Sequence, residues 1–370
     1  MARALQLAAR GGGHVEPNPM VGCVIADDER VVGEGWHGRY GGPHAEVEAI
    51  RAAGDAAAGA TMYVTLEPCC HQGKTPPCTD AVIESGVRRV VVGGRDPFRE
   101  VDGGGIARLT QACLEVDVGL NEREAAWLNA PYLKLVETGR PWILAKWAMT
   151  LDGKSATRTG NSQWISGESS RRVVHEIRGR MDAIMVGRGT ALADDPLLTA
   201  RPAGARTATR VVVDSQASLA PDSQLVDTID QAPVLVACSS LAPDTNRRRL
   251  ADAGCEVWVS DARDPSERLL GLLDELGRRR MTNVLIEGGG QLAGSLFDAA
   301  AVDEVHVFIA NKLVGGADAP TPLAGTGIEL MSQAVTLYEP TFELLDGDIY
   351  QHGRTDTAAE RLFARIGQQA

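Results

Sequence analysis

Short apolar runs alternate with segments of helical period along the first third of the chain. Two of these runs are joined by Asp27-Asp28, and a short polar pair between apolar stretches predicts a β-hairpin. The predicted strands cover residues 22–26, 30–34, 61–66 and 89–92, and the predicted helices cover 45–53 and 79–85. Strands that alternate with helices in this way predict an α/β sandwich.

A second α/β pattern follows a polar helical segment that we predict over 121–139. Pro141 opens an apolar run over 142–148, and we place a domain boundary near residue 140. Further short apolar strands are predicted at 183–186, 210–213, 234–238, 284–286 and 305–309. The chain is therefore expected to hold two domains, 1–140 and 141–370, which its length of 370 residues allows.

Composition narrows the possible partners. The net charge is −12, and acidic residues outnumber basic ones in both halves, so we expect no nucleic-acid partner. No run approaches the roughly 18 apolar residues of a transmembrane helix, so we expect no membrane partner. The seven cysteines are odd in number and unevenly spread, which disfavours a disulfide framework and favours a reducing, cytoplasmic location.

The segment His44-Ala45-Glu46, followed by Cys69 and Cys78, carries the strongest chemical signal. One imidazole and two thiolates can hold zinc and leave a fourth position open for water, as catalytic zinc sites do. Glu46 can then carry a proton. Two alternatives are buried structural cysteines and a structural zinc completed by Cys70 or His71.

The spacing of the two cysteines modifies this interpretation. Eight residues separate Cys69 from Cys78, whereas nucleobase deaminases commonly have two residues between these cysteines, so a generic cytidine deaminase is excluded.

In the second half, glycine-rich turns at 187–190 and 288–294 follow predicted strands. Such turns can cradle a phosphate through backbone N–H groups, or they can simply be tight turns.

Taken together, these motifs resemble those of the bifunctional riboflavin-biosynthesis deaminase–reductase family over most of the chain. In the first half the matching residues are Pro17-Asn18-Pro19-Met20-Val21-Gly22, His37, His44-Ala45-Glu46, Glu67-Pro68-Cys69 and Thr75-Pro76-Pro77-Cys78. In the second half they are Met149-Thr150-Leu151-Asp152-Gly153-Lys154, Ser162-Gln163-Trp164-Ile165, Gly189 through Pro196, Asp214-Ser215 and Glu287-Gly288-Gly289-Gly290. The long Cys69-to-Cys78 loop is a feature of this family.

The resemblance implies a fold, two reactions and two cofactors. The fold is a cytidine-deaminase-like α/β/α sandwich followed by a dihydrofolate-reductase-like α/β domain. The first reaction removes an amino group hydrolytically from a diaminopyrimidinone that carries a phosphoribosylamino arm, with Zn²⁺. The second reduces the ribosyl group with NADPH to give 5-amino-6-(5-phosphoribitylamino)uracil. Reductases of this kind commonly self-associate, so a homo-oligomer is expected.

The resemblance also assigns residues to each site. In the deaminase, zinc is held by His44, Cys69 and Cys78, Glu46 is the proton carrier, and the substrate contacts are Asn18, His37, His71 and Lys74. In the reductase, the substrate contacts are Ser162, Arg178, Leu198, Arg201 and Glu287. The cofactor contacts are Ala148, Trp164, Thr190, Asp194, Ser215, Gly289, Gly290, Gln291, Leu292, Ala293, Gly294 and Ser295. Lys154 and Asp194 are candidates for handling the proton.

Two other interpretations remain open. In one, only the deaminase is active and the second half is a non-catalytic nucleotide-binding domain. In the other, the protein is a zinc-stabilised scaffold without activity. Glu46 disfavours the scaffold, because a structural zinc site does not require a neighbouring carboxylate. The glycine turns of the second half disfavour a deaminase that acts alone.

Overall fold

The structure is a computed structural model that describes residues 1–28, 30–73 and 76–366. The chain divides into two compact units. Of these described residues, those up to 139 form the first unit together with residues 362–366, and residues 140–361 form the second. None of the helices in these described residues is both long and apolar enough to cross a lipid bilayer.

The first unit is built on a mixed sheet. Its described strands are β1 (Gly22–Asp27), β2 (Arg30–Trp36), β3 (Thr61–Val64), β4 (Arg89–Val92) and β5 (Glu115–Val118), in the order β2-β1-β3-β4-β5. Its helices are α1 (Ala2–Ala8), α2 (Ala45–Ala53), α3 (Cys78–Glu84), α4 (Gly104–Gln111), α5 (Glu122–Leu128) and α6 (Ala130–Thr138). β1 is antiparallel to its neighbours, and β3, β4 and β5 are parallel.

The predicted hairpin and both predicted helices of the metal motif are confirmed, and α2 spans residues 45–53 as predicted. The helical segment predicted over 121–139 is confirmed, and the structure divides it into α5 and α6 with a break at Asn129. Pro131 has no N–H to bond back into the preceding turn. The Asn129 side chain instead bonds both the N–H and the carbonyl of Met20, at 2.8 and 2.9 Å.

The second unit contains a larger sheet. Its described strands are β6 (Trp142–Thr150), β7 (Ala183–Gly187), β8 (Thr209–Val213), β9 (Val234–Ser239), β10 (Glu256–Ser260), β11 (Asn283–Glu287), β12 (Glu304–Ala310), β13 (Leu337–Leu345) and β14 (Asp348–Thr355). Their order is β10-β9-β8-β7-β11-β6-β12-β14-β13. All are parallel up to β12, and the hairpin of β13 and β14 is added antiparallel at the edge.

Helices cover this second sheet. They are α7 (Glu168–Arg178), α8 (Arg188–Asp194), α9 (Gln224–Asp227), α10 (Asp244–Asp252), α11 (Pro265–Arg278), α12 (Gly290–Asp298) and α13 (Asp356–Ile366), the last of which ends in the first unit. The buried strands are nearly continuous apolar runs, as parallel strands covered on both faces require. β7 and β11 are neighbouring parallel strands, and their carboxyl ends lead directly into α8 and α12. The N-termini of these two helices therefore lie at the carboxyl ends of adjacent strands.

Candidate functional site

Three potential zinc ligands come together between two helix starts in the first unit. His44 is the N-cap of α2, and Cys78 is the first residue of α3. His44 Nδ1 lies 3.1 Å from Cys78 Sγ and 3.5 Å from Cys69 Sγ. The backbone N–H of Cys78 also donates to Cys69 Sγ at 3.3 Å. All three ligand atoms lie within 4.8 Å of one another.

These donors fit a zinc ion. Zn–S bonds of about 2.3 Å and Zn–N bonds of about 2.0 Å at tetrahedral angles place ligand atoms roughly 3.5–3.8 Å apart. The observed separations are slightly shorter, so small side-chain movements suffice to admit the ion. A hydrogen bond from the Cys78 thiol lowers the pKa of Cys69 to about 4, and the same bond raises the pKa of Cys78. The pair thus already favours one thiolate, the form that binds metal.

Neither alternative fourth ligand lies in this group. The Cys70 thiol points to the backbone carbonyl of Glu100, with Sγ 3.6 Å from the oxygen. The His71 Nε2 atom lies 3.6 Å from the Glu100 carboxylate. Among the described residues, therefore, only three protein ligands surround the centre. A three-ligand site is the arrangement of catalytic rather than structural zinc.

Glu46 lies against this cluster in the first turn of α2, with only 3% of its surface exposed. Burial raises the pKa of its carboxyl group, the charge of His44 opposes that shift, and the Cys78 thiol bonds the carboxylate. The carboxyl group is thus within reach of the ligands and shielded from bulk water. A group in that position can accept and return a proton.

Asn18 and His37 border the same centre. Asn18 Nδ2 lies 3.3 Å from His37 Nε2, and His37 Nδ1 lies 3.0 Å from the carbonyl of Pro43. Burial lowers the pKa of His37, so the neutral ring donates to Pro43 and accepts from Asn18. The His37 ring packs edge-on against that of His44, with centroids 5.2 Å apart. Of the other predicted contacts, His71 lies beside Glu100, and Lys74 lies outside the described residues.

In the second unit, the glycine turn after β11 meets the start of α8. Gly288 and Gly289 have φ angles of 72° and 79°, which favour glycine. A Cβ on Gly288 would lie 2.9 Å from Thr190 Cγ2, so the two turns are in close contact. A Cβ on Gly294 would collide with the carbonyl of Ala324. These glycines therefore permit the close packing of the turn and α12 against Thr190 and Ala324.

Arg178 and Glu287, both predicted as substrate contacts, bind each other. Arg178 Nε and Nη2 donate to the two Glu287 oxygens at 2.5 and 2.9 Å. Burial alone would raise the pKa of Glu287, but the charge and hydrogen bonds of Arg178, with Lys146, lower it to about 2. Lys146 Nζ lies 3.8 Å from the same carboxylate, and burial lowers its pKa. Sequence reasoning missed Lys146, although a lysine inside the apolar run 142–148 was a signal.

The remaining predicted reductase residues lie in or after β6, β7, β8 and β11 along the chain. Burial raises the pKa of Asp194, and a hydrogen bond from Ser162 opposes that shift. Trp164 is 65% exposed and lies under the guanidinium of Arg171, which is 4.6 Å from the ring centroid. Lys154 Nζ donates to the carbonyl of Ala319 at 3.1 Å, which occupies part of its bonding capacity. Ala148 lies in β6, Thr190 in α8, Leu198 in the segment after α8, Ser215 just after β8, and Gln291, Leu292, Ala293 and Ser295 in α12.

A second group of possible metal ligands occurs in β12 and β14. Glu304, His306 and His352 offer atoms within 4.8 Å of one another. However, His306 is already bonded through Nδ1 to the Tyr350 hydroxyl at 2.7 Å and through Nε2 to Glu304 at 3.1 Å. The guanidinium of Arg354 lies 3.6 Å from the Glu304 carboxylate. Two of the three possible ligands, Glu304 and His306, are thus already bonded to protein groups, and the His352 ring stacks on that of His306 with centroids 5.4 Å apart.

Comparisons with known proteins match both halves of the chain. The cytidine and deoxycytidylate deaminase zinc-binding region matches residues 1–94, and the RibD C-terminal domain matches residues 141–343. The chain is 43% identical over 350 residues to the riboflavin biosynthesis protein RibD of Actinobacillus pleuropneumoniae, covering 94% of this chain and 93% of that protein.

Solved structures agree with these matches. RibD of Acinetobacter baumannii is 35% identical with a TM-score of 0.84, over 96% of this chain and 97% of that one. A diaminohydroxyphosphoribosylaminopyrimidine deaminase/5-amino-6-(5-phosphoribosylamino)uracil reductase of Thermotoga maritima is also 35% identical, with a TM-score of 0.81 over the same shares.

Fold and site therefore define a bifunctional enzyme that joins a zinc-dependent deaminase to an NADPH-dependent reductase. The chain belongs to the RibD family of riboflavin biosynthesis proteins. The predicted fold class, enzyme class and cofactors, zinc and NADPH, are confirmed.

Proposed function

We propose that the chain acts on 2,5-diamino-6-(5-phosphoribosylamino)pyrimidin-4(3H)-one, deaminates it in domain 1–140, and reduces the ribosyl arm in domain 141–370. The product is 5-amino-6-(5-phosphoribitylamino)uracil. The observation that carries this proposal is the cluster of His44, Cys69 and Cys78 with Glu46 beside it, in a chain of the RibD family. The net charge of −12 favours a small-molecule substrate over a nucleic acid.

In the deaminase, His44, Cys69 and Cys78 would hold the zinc, which when bound makes water reactive at neutral pH. Glu46 takes a proton from the attacking water and delivers it to the ring nitrogen. It then takes the second proton from the hydroxyl group that was added to the ring carbon and passes it to the leaving amine, so the C–N bond breaks, a carbonyl forms and ammonia departs. Positioned proton transfer of this kind contributes about 10²- to 10⁴-fold in rate.

The substrate is held by groups around that centre. Asn18 and His37 already form a hydrogen-bonded pair beside His44, and His71 lies beside the Glu100 carboxylate. A neutral His37 can exchange its bond with Asn18 for one to the pyrimidine ring. Lys74 supplies a cation for the substrate phosphate, which suits an otherwise acidic protein.

In the reductase, NADPH when bound supplies the hydride that reduces C1′ of the opened ribosyl group. The cofactor contacts we propose are Ala148, Trp164, Thr190, Asp194, Ser215 and residues 289–295. Glu287, kept ionised by Arg178, faces the substrate with Ser162 and Leu198. Because Arg178 is already paired, the main cation for the substrate phosphate is Arg201, which is exposed.

We also propose that the protein is a homo-oligomer in the cytoplasm. β13 is the last strand of the larger sheet, so one of its edges has no neighbouring strand among the described residues. Phe342 and Leu344 on this strand are 64% and 80% exposed. An exposed, apolar edge strand is a surface that another chain can cover.

Incubation of the purified protein with the diaminopyrimidinone ribotide tests the proposal. Without NADPH, mass spectrometry should show exchange of one amino group for oxygen and release of ammonia. With NADPH, the product should gain two further hydrogens. Deamination without reduction would support the alternative in which the second domain is not catalytic, and the absence of both reactions would contradict the proposal.

A further inference from the structure

The segment of residues 199–206 lies along the carboxyl end of α7 and is tied to it by hydrogen bonds. Arg178 Nη1 donates to the carbonyl of Thr199 at 3.2 Å. The backbone N–H of Arg201 donates to His175 Nδ1 at 3.2 Å. The backbone N–H of Arg206 donates to the carbonyl of Gly179, the C-cap residue of α7, at 2.9 Å. The position of the backbone at Arg201 is therefore set by side chains of α7.

Two glycines bring this segment and the helix into contact. A Cβ on Gly179 would lie 2.8 Å from the Cα of Gly204, closer than real side chains approach. This contact gives the segment a physical role. It holds Arg201 against α7, so the direction in which the Arg201 side chain leaves the backbone depends on α7.

His175 is the residue of α7 that bonds Arg201 directly, and only one protonation state allows it. The Nδ1 atom must be without a proton to accept the Arg201 N–H. The charged groups that face the ring are Arg178 on the same helix, Arg201, and Glu287 at the end of β11. The negative charge of Glu287 is already balanced by the positive charge of Arg178, with which it forms an ion pair. Burial, followed by the charges of Arg178 and Arg201, lowers the pKa of His175 and keeps the ring neutral.

We propose that His175 is a positioning residue for the reductase: by accepting the backbone N–H of Arg201, it orients the Arg201 guanidinium toward the phosphate of the pyrimidine nucleotide. This inference rests on the proposed function, in which Arg201 contacts that phosphate. His175 itself touches neither the sugar nor the nicotinamide in this account. Its loss should therefore weaken nucleotide binding without slowing hydride transfer.

Two substitutions at this position separate hydrogen bonding from packing. His175→Gln keeps an acceptor that cannot be protonated, whereas His175→Leu keeps most of the volume and loses the acceptor. Loss of one such hydrogen bond should raise the KM for the deaminated pyrimidine nucleotide about three- to tenfold in the leucine variant. The kcat and the KM for NADPH should stay near wild type, and glutamine should restore the nucleotide KM. His352→Leu, at another half-buried histidine outside the proposed site, is the control and should leave all three constants unchanged.

The pH dependence provides a readout that a purely structural role would not change. Below the lowered pKa of His175 the ring gains a proton, the bond from Arg201 is lost, and a third cation joins Arg178 and Arg201. The nucleotide KM of wild type should therefore rise on acidification more than that of His175→Gln. The substrate phosphate also titrates near pH 6, but it does so equally for both enzymes. The ratio of the wild-type KM to that of His175→Gln should thus be close to one at pH 7.5 and rise as the pH falls through the lowered pKa of His175.

The possible results are distinguishable. A wild-type KM in His175→Leu, an equal loss in the leucine and glutamine variants, or a KM ratio that is flat with pH would each overturn the positioning role. If the leucine variant unfolds, the glutamine variant and the pH ratio still decide the question. If the wild-type protein does not reduce the nucleotide with NADPH, the proposed function itself fails, which is a separate outcome.

Discussion

Arg210 lies in β8 with 0% of its surface exposed and is surrounded by oxygen atoms that carry no formal charge. Its guanidinium donates to the Thr228 hydroxyl at 2.7 Å, and to the carbonyls of Thr228 and Ala232 at 2.9 and 2.5 Å. Burial lowers the pKa of Arg210. The side chain fixes the loop before β9, and it does so at the cost of burying a charge.

Replacing Arg210 by methionine keeps a long apolar stem but leaves those carbonyls without donors. We expect the free energy of unfolding to fall by about 2–4 kcal/mol, since a buried acceptor that loses its partner costs about 1–3 kcal/mol. Chemical denaturation of the two proteins measures the change. Arg263→Met, at an exposed arginine, is the control and should shift stability by less than about 0.5 kcal/mol. Equal stability of the Arg210 variant and wild type would show that relief of charge burial compensates for the lost bonds.

Arg201 is exposed and, among the described residues, no ion pair of its guanidinium is found. Arg201→Ala should raise the KM for the pyrimidine nucleotide about ten- to hundredfold, because a charged hydrogen bond contributes about 1.5–3 kcal/mol. The KM for NADPH should change little. Steady-state kinetics of the reductase step measure both constants, with Arg248→Ala as an exposed control. An unchanged nucleotide KM would remove Arg201 from the substrate site.

At the scale of elements, Glu67 links the start of α4 to the metal centre. Its carboxylate accepts the backbone N–H groups of Gly105 and Ile106 at 2.9 and 3.1 Å, and those of Gly103 and Asp96 at 3.1 and 3.3 Å. A carboxylate at a helix N-terminus satisfies donors that the helix cannot. Because Glu67 stands two residues before Cys69, this bonding also fixes where the ligand loop leaves β3.

Glu67→Gln replaces one acceptor oxygen by an amide NH₂ group. That group is a hydrogen-bond donor, and it would face the backbone N–H groups that the carboxylate now accepts. We expect the unfolding free energy of the first domain to fall by about 2–3 kcal/mol, and zinc retention against a chelator to weaken. The reductase rate should stay at the wild-type level. Thermal unfolding combined with metal analysis tests this, and Glu84→Gln, at an exposed glutamate of α3, is the control. A variant that holds zinc as firmly as wild type would separate Glu67 from the metal loop.

The elements that could be predicted from the sequence are those with a clear pattern of apolar residues, or with a polar residue or glycine that marks where they begin or end. The strands of the parallel sheets are continuous apolar runs, and α2 begins at a polar residue and ends before Gly54. The hairpin of β13 and β14 was missed because the residues of β13 are mostly exposed and show no alternation. The helix α4 was missed because it starts with glycines, which are poor helix formers without the contacts of Glu67.

The metal centre was more predictable than the reductase site. His44 and Cys78 lie at the starts of α2 and α3, and Cys69 lies in the loop that follows β3, so the motif and the geometry agree. In the reductase, the pairing of Arg178 with Glu287 joins α7 to β11 across 109 residues of chain. No local pattern encodes such a contact. Lys146 could have been singled out as a lysine inside an apolar run, but its partner Glu287 and the contact of His175 with Arg201 follow from tertiary packing alone.

At the scale of the whole molecule, the exposed edge of β13 bears on assembly. Leu344→Glu places a charge on that edge and should convert an oligomer into monomers, because a charge on an edge strand opposes pairing. Light scattering at micromolar concentration measures the mass. Leu241→Glu is a matched control, since Leu241 is 78% exposed but lies away from β13 in sequence and strand order. A monomeric wild-type protein, or an oligomer unaffected by Leu344→Glu, would refute this interface.

The central claim is that one chain carries two separate chemistries, a hydrolytic one that needs Glu46 and a reductive one that does not. The most direct test is the product analysis of Glu46→Gln given either the diaminopyrimidinone ribotide or its deaminated form, each with NADPH. We expect this variant to contain as much zinc as wild type, to lose ammonia release by at least about 10²-fold, and to reduce the deaminated form normally. Wild-type deamination by this variant, or loss of both reactions in a folded, zinc-loaded protein, would contradict the central claim.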